Sequence, residues 1–308
     1  MALAALLAAA AGFLYSQPEK VLRYALEAER DRAGLARKEI ELPGGTRYVY
    51  LDGGRGEPLM LLHGFGANKD NFVRAARFLT PHYRVLVPDH AGFGESSKPP
   101  EGDYSPAAQV ARLRELARAL GMRTLHLGGS SMGGHIALTW AALHPQEVAS
   151  LWLLAPGGLR TAPQSELRRI VATTGRNPLI PQNADEFAQL ADFVMSEPPF
   201  APRPLLDVLA RERIRNVALE RRIFGQLAED AVEERVKGLA VPALIAWGTE
   251  DRALHVGGAE TLRRLMPGSK VVVMTGVGHL PMLERPRQSA EDYLRFRAGL
   301  TGGTPAPR

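Results

Sequence analysis

TLHLGGSSMGGHIALTWAAL, residues 124–143, decides the fold. It opens on a short apolar run, Leu125 and Leu127, passes through a cluster of small residues, and ends with apolar side chains at helical spacing from Ile136 to Leu143. A strand that turns at once into a helix is the repeating unit of a parallel sheet. Inside the turn lies Gly129-Ser130-Ser131-Met132-Gly133. Such a Gly-x-Ser-x-Gly string arises often by chance, and the strand before it and the helix after it are what make it specific. Small residues on both sides of Ser131 permit a strained turn that lifts its hydroxyl above the sheet edge. Ser130 stands one position out of register and reads as a strand end.

Outward from this unit, short aliphatic or β-branched runs recur at 48–51, 59–62, 85–87, 151–154, 243–246 and 270–274. Helical periodicity covers 106–120, 132–143, 258–265 and 286–296. The alternation predicts an α/β fold, a mostly parallel sheet with helices on both faces. One interval breaks the rhythm. Between 154 and 241 there are only Pro-punctuated, helix-prone segments, at 165–172, 184–195, 204–216 and 219–238, so residues 157–238 are expected to form a helical cap inserted after the sixth strand. The expected division is 1–35 N-terminal anchor and juxtamembrane helix, 36–156 first part of the core, 157–238 cap, 239–300 second part of the core, and 301–308 disordered tail.

An unactivated serine hydroxyl is a poor nucleophile, so a base must lie within reach, oriented by a carboxylate. Two downstream strand ends supply them. Gly248-Thr249-Glu250-Asp251 closes the run 242–247, and Gly276-Val277-Gly278-His279 closes 270–274; both fall at the sheet edge where Ser131 stands and where open α/β sheets place ligands. Ser131 is thus the expected nucleophile, His279 the base and Asp251 the orienting acid, with Glu250 as the alternative acid. A tetrahedral intermediate also needs two N–H donors. Met132, next after the serine, supplies one; the glycine-flanked Phe65 of His63-Gly64-Phe65-Gly66 supplies the other, with His63 bracing the loop. His82, His126, His135 and His144 have no partner motif and read as ordinary core or surface residues. His90 and His255 lie near these loops but at no third strand end. No metal-ligand spacing such as His-Glu-x-x-His occurs, so neither metal nor cofactor is expected.

Composition narrows the classes. The 308 residues are 45% hydrophobic and 23% charged, with no cysteine, which removes disulfides and thiolate chemistry. The formal charge of +5 comes from scattered arginines without aromatic interleaving, so no nucleic-acid partner is expected, whereas attraction to anionic lipid is consistent with it. The first 15 residues, MALAALLAAAAGFLY, are uncharged and are followed by Pro18 and an amphipathic pattern at 21–26. The preferred reading is a retained membrane anchor completed by the segment beyond Pro18; a cleaved secretory signal is the rival, weakened by the lack of Lys or Arg before the apolar run. Lys20, Arg23, Arg30 and Arg32 mix with Glu27, Glu29 and Asp31, so charge sets the orientation only weakly.

The elbow 129–134, the His63-Gly64 loop, and Gly278-His279 followed by Glu284-Arg285-Pro286 resemble the α/β-hydrolase superfamily of lipases and esterases. Pro156-Gly157-Gly158-Leu159, Asn177-Pro178-Leu179-Ile180-Pro181 and the stretch from Trp247-Gly248 through Val256-Gly257-Gly258-Ala259 are similar to membrane-anchored monoacylglycerol lipases and bacterial membrane-bound phospholipase A. The resemblance implies an α/β-hydrolase fold and cleavage of fatty acyl esters of glycerolipids such as monoacylglycerols, lysophospholipids or phospholipids. It implies an anchor in a bacterial inner membrane with a periplasmic catalytic domain and, by analogy alone, a homodimer formed through that anchor. Secretion after signal cleavage is the alternative location. Ala91 departs from the family pattern, where Pro or Arg is usual. Two rival functions stay open: a soluble carbon–carbon bond hydrolase of the same fold, and an inactive lipid-binding protein. Ser131 excludes haloalkane dehalogenase and epoxide hydrolase chemistry, which needs aspartate at the elbow. Phe187, Phe193, Phe200 and Phe224 are available in the cap to hold an acyl chain.

Overall fold

The computed structural model describes residues 12–300. Helix α1 (Pro18–Arg32) leads into strands β1 (Leu35–Glu41), β2 (Arg47–Gly54) and β3 (Pro58–Leu62). Helix α2 (Val73–Ala76), strand β4 (Arg84–Pro88), helix α3 (Pro106–Ala119), strand β5 (Leu125–Ser130), helix α4 (Met132–Leu143) and strand β6 (Val148–Leu154) complete the first half. Five helices follow: α5 (Glu166–Thr174), α6 (Ala184–Val194), α7 (Arg203–Arg215), α8 (Val217–Glu229) and α9 (Glu233–Val236). The chain then returns through β7 (Ala243–Gly248), α10 (Gly258–Leu265), β8 (Lys270–Met274), α11 (Pro281–Glu284) and α12 (Pro286–Leu300).

The eight strands form one sheet in the order β1-β2-β4-β3-β5-β6-β7-β8, antiparallel at β1·β2 and β2·β4 and parallel from β4 onward. Because successive side chains of a strand point to opposite faces, each central strand feeds two cores. Met60 and Leu62 join one with Leu151, Leu153, Ile245 and Trp247, under α3, α4 and α10. Leu59 and Leu61 join the other with Trp152, Leu154, Leu244 and Ala246, under α2 and α12. This is the α/β-hydrolase fold, and the helices between β6 and β7 are its inserted cap. Two of the cap helices, α5 and α6, start on side-chain caps: Ser165 Oγ accepts from Arg168 N and Asn183 Oδ1 from Glu186 N. The segment read as one helix over 219–238 is broken at Asp230, whose backbone is extended.

Strand β1 is not apparent in the sequence. Its residues, LARKEIE, are mostly exposed, as suits a charged edge strand. Lys38 Nζ binds Asp52 at 2.9 Å and Arg37 Nη2 binds Glu95 at 2.6 Å, so ion pairs take the place of an apolar face.

The expected N-terminal anchor is corrected. Among the described residues no helix is long and apolar enough to cross a membrane. Helix α1 has 15 residues, a rise of about 22 Å against the ~30 Å of a hydrocarbon layer, and carries charges along its length. Two of those charges bind the rest of the fold. Arg30 forks onto Asp70 with two bonds of 2.7 Å, and Glu19 pairs with Arg211 of α7. The segment expected to complete a span therefore packs against the core and the cap, and the membrane-anchored function, the membrane partner, the anchor-borne homodimer and the inner-membrane location with a periplasmic domain fall with it. Residues 1–11, on which the rest of the anchor or signal reading falls, and the expected disordered tail at 301–308 lie outside the described residues.

Candidate active site

Ser131 joins β5 to α4 with φ 53° and ψ −115°, a region L-residues avoid at a cost of about 1–3 kcal/mol. The turn is held from several sides. Ser131 N donates to Leu154 O at 3.0 Å, while its carbonyl accepts from His135 N at 3.0 Å and Gly157 N at 2.9 Å. The glycines of the motif are demanded by close approach: a Cβ on Gly129 would strike Gly133 O, and one on Gly133 would strike Leu62 O. Strand, turn and helix thus close too tightly for a side chain at Gly129 and Gly133, while the Ser131 side chain lines the cavities.

Asp251 follows β7 and His279 follows β8. His279 Nδ1 meets Asp251 Oδ2 at 2.7 Å, and both side chains are buried. The other oxygen, Oδ1, accepts from Ala253 N at 2.9 Å and Leu254 N at 2.8 Å, so the carboxylate cannot swing away from the ring. The acid loop is itself tied to the core through Trp247 Nε1, which donates to Leu254 O at 3.1 Å. With Nδ1 engaged by a carboxylate, Nε2 is the nitrogen left to exchange a proton. Glu250, the alternative acid, is exposed and accepts from the Thr249 hydroxyl at 3.3 Å. Among the described residues Ser131 Oγ and His279 Nε2 make no hydrogen bond, a bond that is often long before substrate binds.

The loop after β3 lies directly against the serine: a Cβ on Gly64 would stand 3.3 Å from Ser131 Cβ. Among the described residues neither the Phe65 amide nor the Met132 amide has a backbone acceptor. His63 holds the loop from beneath. Its Nε2 accepts from His90 N at 3.0 Å, which places the ring proton on Nδ1, and that proton goes to Gly64 O at 2.8 Å. Complete burial favours the uncharged ring and pushes its pKa down to about 3. The His90 and Phe93 rings pack edge-on against it at 4.4 and 5.7 Å between centroids.

Two cavities meet at Ser131, sharing Phe65, Ser131 and Leu179. One, of about 350 Å³, runs under α5 and α8 past Leu167, Val171, Phe224 and Leu227. The other, of about 370 Å³, runs under α6 and α7 and includes His279 with Phe187, Val194 and Leu206. Of the four cap phenylalanines, Phe187 and Phe224 line a cavity. Phe193 is buried in a small cluster with Leu167 and Ala253, and Phe200 is 93% exposed.

Sequence reasoning passed over His135. It lies one turn beyond Ser131 on α4, lines the first cavity, and meets Asp230 Oδ1 of the cap at 2.7 Å. The His135 and Arg235 partners outweigh burial and hold Asp230 down at about 2. The spacing of four from the serine was the available signal, but the carboxylate partner sits 95 residues away. His255 accepts from Gly257 N at 3.0 Å and lines neither of the two cavities.

A sheet that presents a strained serine at one strand end, with an imidazole–carboxylate pair on two others and a cap above, is the build of a serine hydrolase of the esterase and lipase type. The chain belongs to the alpha/beta hydrolase fold family, which matches residues 57–286. It is 41% identical over 290 residues to Lipase 3 of Moraxella sp. (strain TA144), spanning 92% of this chain and 90% of that one. The monoacylglycerol lipase abhd6-A of Xenopus laevis is 30% identical over 277 residues, spanning 83% and 81%. A solved structure described as a membrane phospholipase A, a novel bacterial virulence factor, superposes with a TM-score of 0.90 at 40% identity, spanning 98% of each chain. The chain is thus an α/β-hydrolase-fold lipase or esterase related to bacterial lipases, to that phospholipase and to eukaryotic monoacylglycerol lipases.

Proposed function

We propose that the chain hydrolyses carboxylic esters of apolar acyl chains through an acyl-enzyme on Ser131. The observation that carries this is the serine's position, at the junction of two cap-covered cavities and beside the Gly64 loop, with His279 on the wall of one of them. Ser131 Oγ attacks the acyl carbonyl carbon while His279 Nε2 takes the hydroxyl proton. Asp251 holds the ring and stabilises its cation, and the Phe65 and Met132 amides bind the oxyanion. Collapse breaks the ester bond, and the leaving alkoxide takes the proton from His279. Water then attacks the acyl-enzyme by the same route and frees the acid. No step calls for a metal or cofactor.

The cavity under α5 and α8, walled by Leu167, Val171, Leu227 and Leu254, suits the acyl chain, and the one reaching Asn68, Asn71 and Asn216 suits a hydroxyl-bearing alcohol. The lipase relatives support a lipid ester as substrate. The division of labour proposed with it gives the chemistry to 36–156 and 239–300 and the substrate walls to 157–238.

The test is hydrolysis of esters of increasing acyl length, with a ring-cleavage diketone alongside, and labelling of the chain by a fluorophosphonate. Ester turnover and labelling that both vanish in Ser131→Ala are expected. Preference for the diketone would transfer the reading to carbon–carbon bond hydrolysis, and labelling that survives in Ser131→Ala would refute the assigned nucleophile.

A further inference from the structure

The loop that carries His279 is held by the cap. His279 N donates to Val194 O, the end of α6, at 2.8 Å. Its neighbour Gly278 donates to both carboxylate oxygens of Glu284, at 3.0 and 3.1 Å. The same carboxylate accepts from Ser196 N at 2.8 Å and Glu197 N at 3.2 Å, in the segment linking α6 to α7. One partly buried side chain therefore gathers three backbone amides, one from the His279 loop and two from the cap. The packing leaves no slack: a Cβ on Gly278 would lie 2.7 Å from Ser196 N and 2.9 Å from Met195 Cα.

We infer that Glu284 is a positioning residue that clamps the His279 loop to the cap segment 194–197, so that the base is correctly seated only while that part of the cap is in place. The inference rests on His279 being the base. Val194 and Met195 line the same cavity as His279, so the segment that walls the substrate also seats the base. Three amides converge on one carboxylate, with Gly278 N shared between its two oxygens, which uses most of its acceptor capacity. All three amides reach Oε2, so a glutamine oxygen there keeps an acceptor for each, but its NH₂ group then takes the place of Oε1 and faces Gly278 N donor against donor. The Gly278 side of the clamp, next to the base, is therefore the side that glutamine loosens.

The test is steady-state hydrolysis by Glu284→Gln and Glu284→Ala of two esters, one long-chain and one acetyl ester too short to reach the cap walls. Misplacement of a catalytic group by about 1 Å costs up to ~10²-fold, so kcat is expected to fall about tenfold or more in Glu284→Gln for both esters, with KM within about threefold. Fluorophosphonate labelling should slow in parallel, while the melting temperature of this isosteric variant stays close to that of the wild type. A kcat within twofold of wild type, or a loss confined to KM or to the long ester, would overturn the clamp. His279→Ala is measured beside it: retained ester turnover there would overturn the assignment of the base itself, a different outcome from an inert Glu284→Gln.

Discussion

The same three group types, a hydroxyl, an imidazole and a carboxylate, lie toward both ends of strand β5. At the end that leads into α4 they are Ser131, His279 and Asp251. At the start they are Ser150, His126 and Glu57: His126 Nδ1 meets Ser150 Oγ at 2.9 Å and Nε2 meets Glu57 Oε2 at 3.0 Å. The second set is internally satisfied. Ser150 Oγ is also bound by Tyr293 OH at 3.0 Å, and Ser150 and His126 are buried. At the first set the serine is strained and opens on two cavities, and among the described residues His279 Nε2 has no hydrogen-bond partner. The two sets thus differ in what is left unsatisfied, since the group types are shared. The Ser150 hydroxyl, with its imidazole engaged on both nitrogens, braces the sheet, whereas the proposed nucleophile sits on a strained turn and, among the described residues, its proposed base keeps one nitrogen unengaged.

The largest effects should come from breaking the first set. Ser131→Ala is expected to lower kcat for ester hydrolysis by at least ~10³-fold without loss of melting temperature. Asp251→Asn keeps the shape but offers the ring an ambiguous partner, and a fall of about 10³–10⁴-fold in kcat is expected with KM little changed. At the other end, Ser150→Ala should leave kcat within about twofold yet cost about 1–3 kcal/mol, because it strands His126 Nδ1 and Tyr293 OH; chemical denaturation reads this directly. Equal activity losses in Ser150→Ala and Asp251→Asn would erase the distinction.

Acidity gives the smallest and most graded test. Burial lowers the pKa of His126, and burial likewise lowers those of His63 and His90. Each binds a proton more readily when unfolded, near pH 6.5, than when folded. Their contribution to stability is therefore fully present above about pH 6.5 and lost progressively as pH falls below it. A melting temperature that declines from pH 7 to pH 5, with a shallower decline in His126→Gln, is expected; a flat profile for both would contradict the assignment of neutral buried rings.

Most of the core was legible because its signals are local. The strand runs at 125–127, 151–154 and 243–246 lie within β5, β6 and β7, since parallel strands buried on both faces must be continuously apolar. The residues proposed for catalysis stood out for a related reason: each follows a strand end, where a glycine-rich turn marks the site. Strand β1 was hidden because an edge strand held by Lys38–Asp52 and Arg37–Glu95 needs no apolar face. The docking of α1 was hidden too. Its decisive contact, Arg30 with Asp70, spans 40 residues, and nothing local separates such an arginine from a solvated one. The Asp230 partner of His135 and the amides gathered by Glu284 are likewise products of tertiary folding, in which a cap segment inserted after β6 returns to meet residues on both sides of it.

The strain at Ser131 has an evolutionary reading. Glycine would adopt φ 53° without the steric strain, so a single substitution that relieves this turn would also remove the proposed nucleophile. A lineage that no longer needed turnover would have an easy path toward that silent, sturdier form. On the proposed mechanism, the side chain at this position is one that a gain in stability would favour losing.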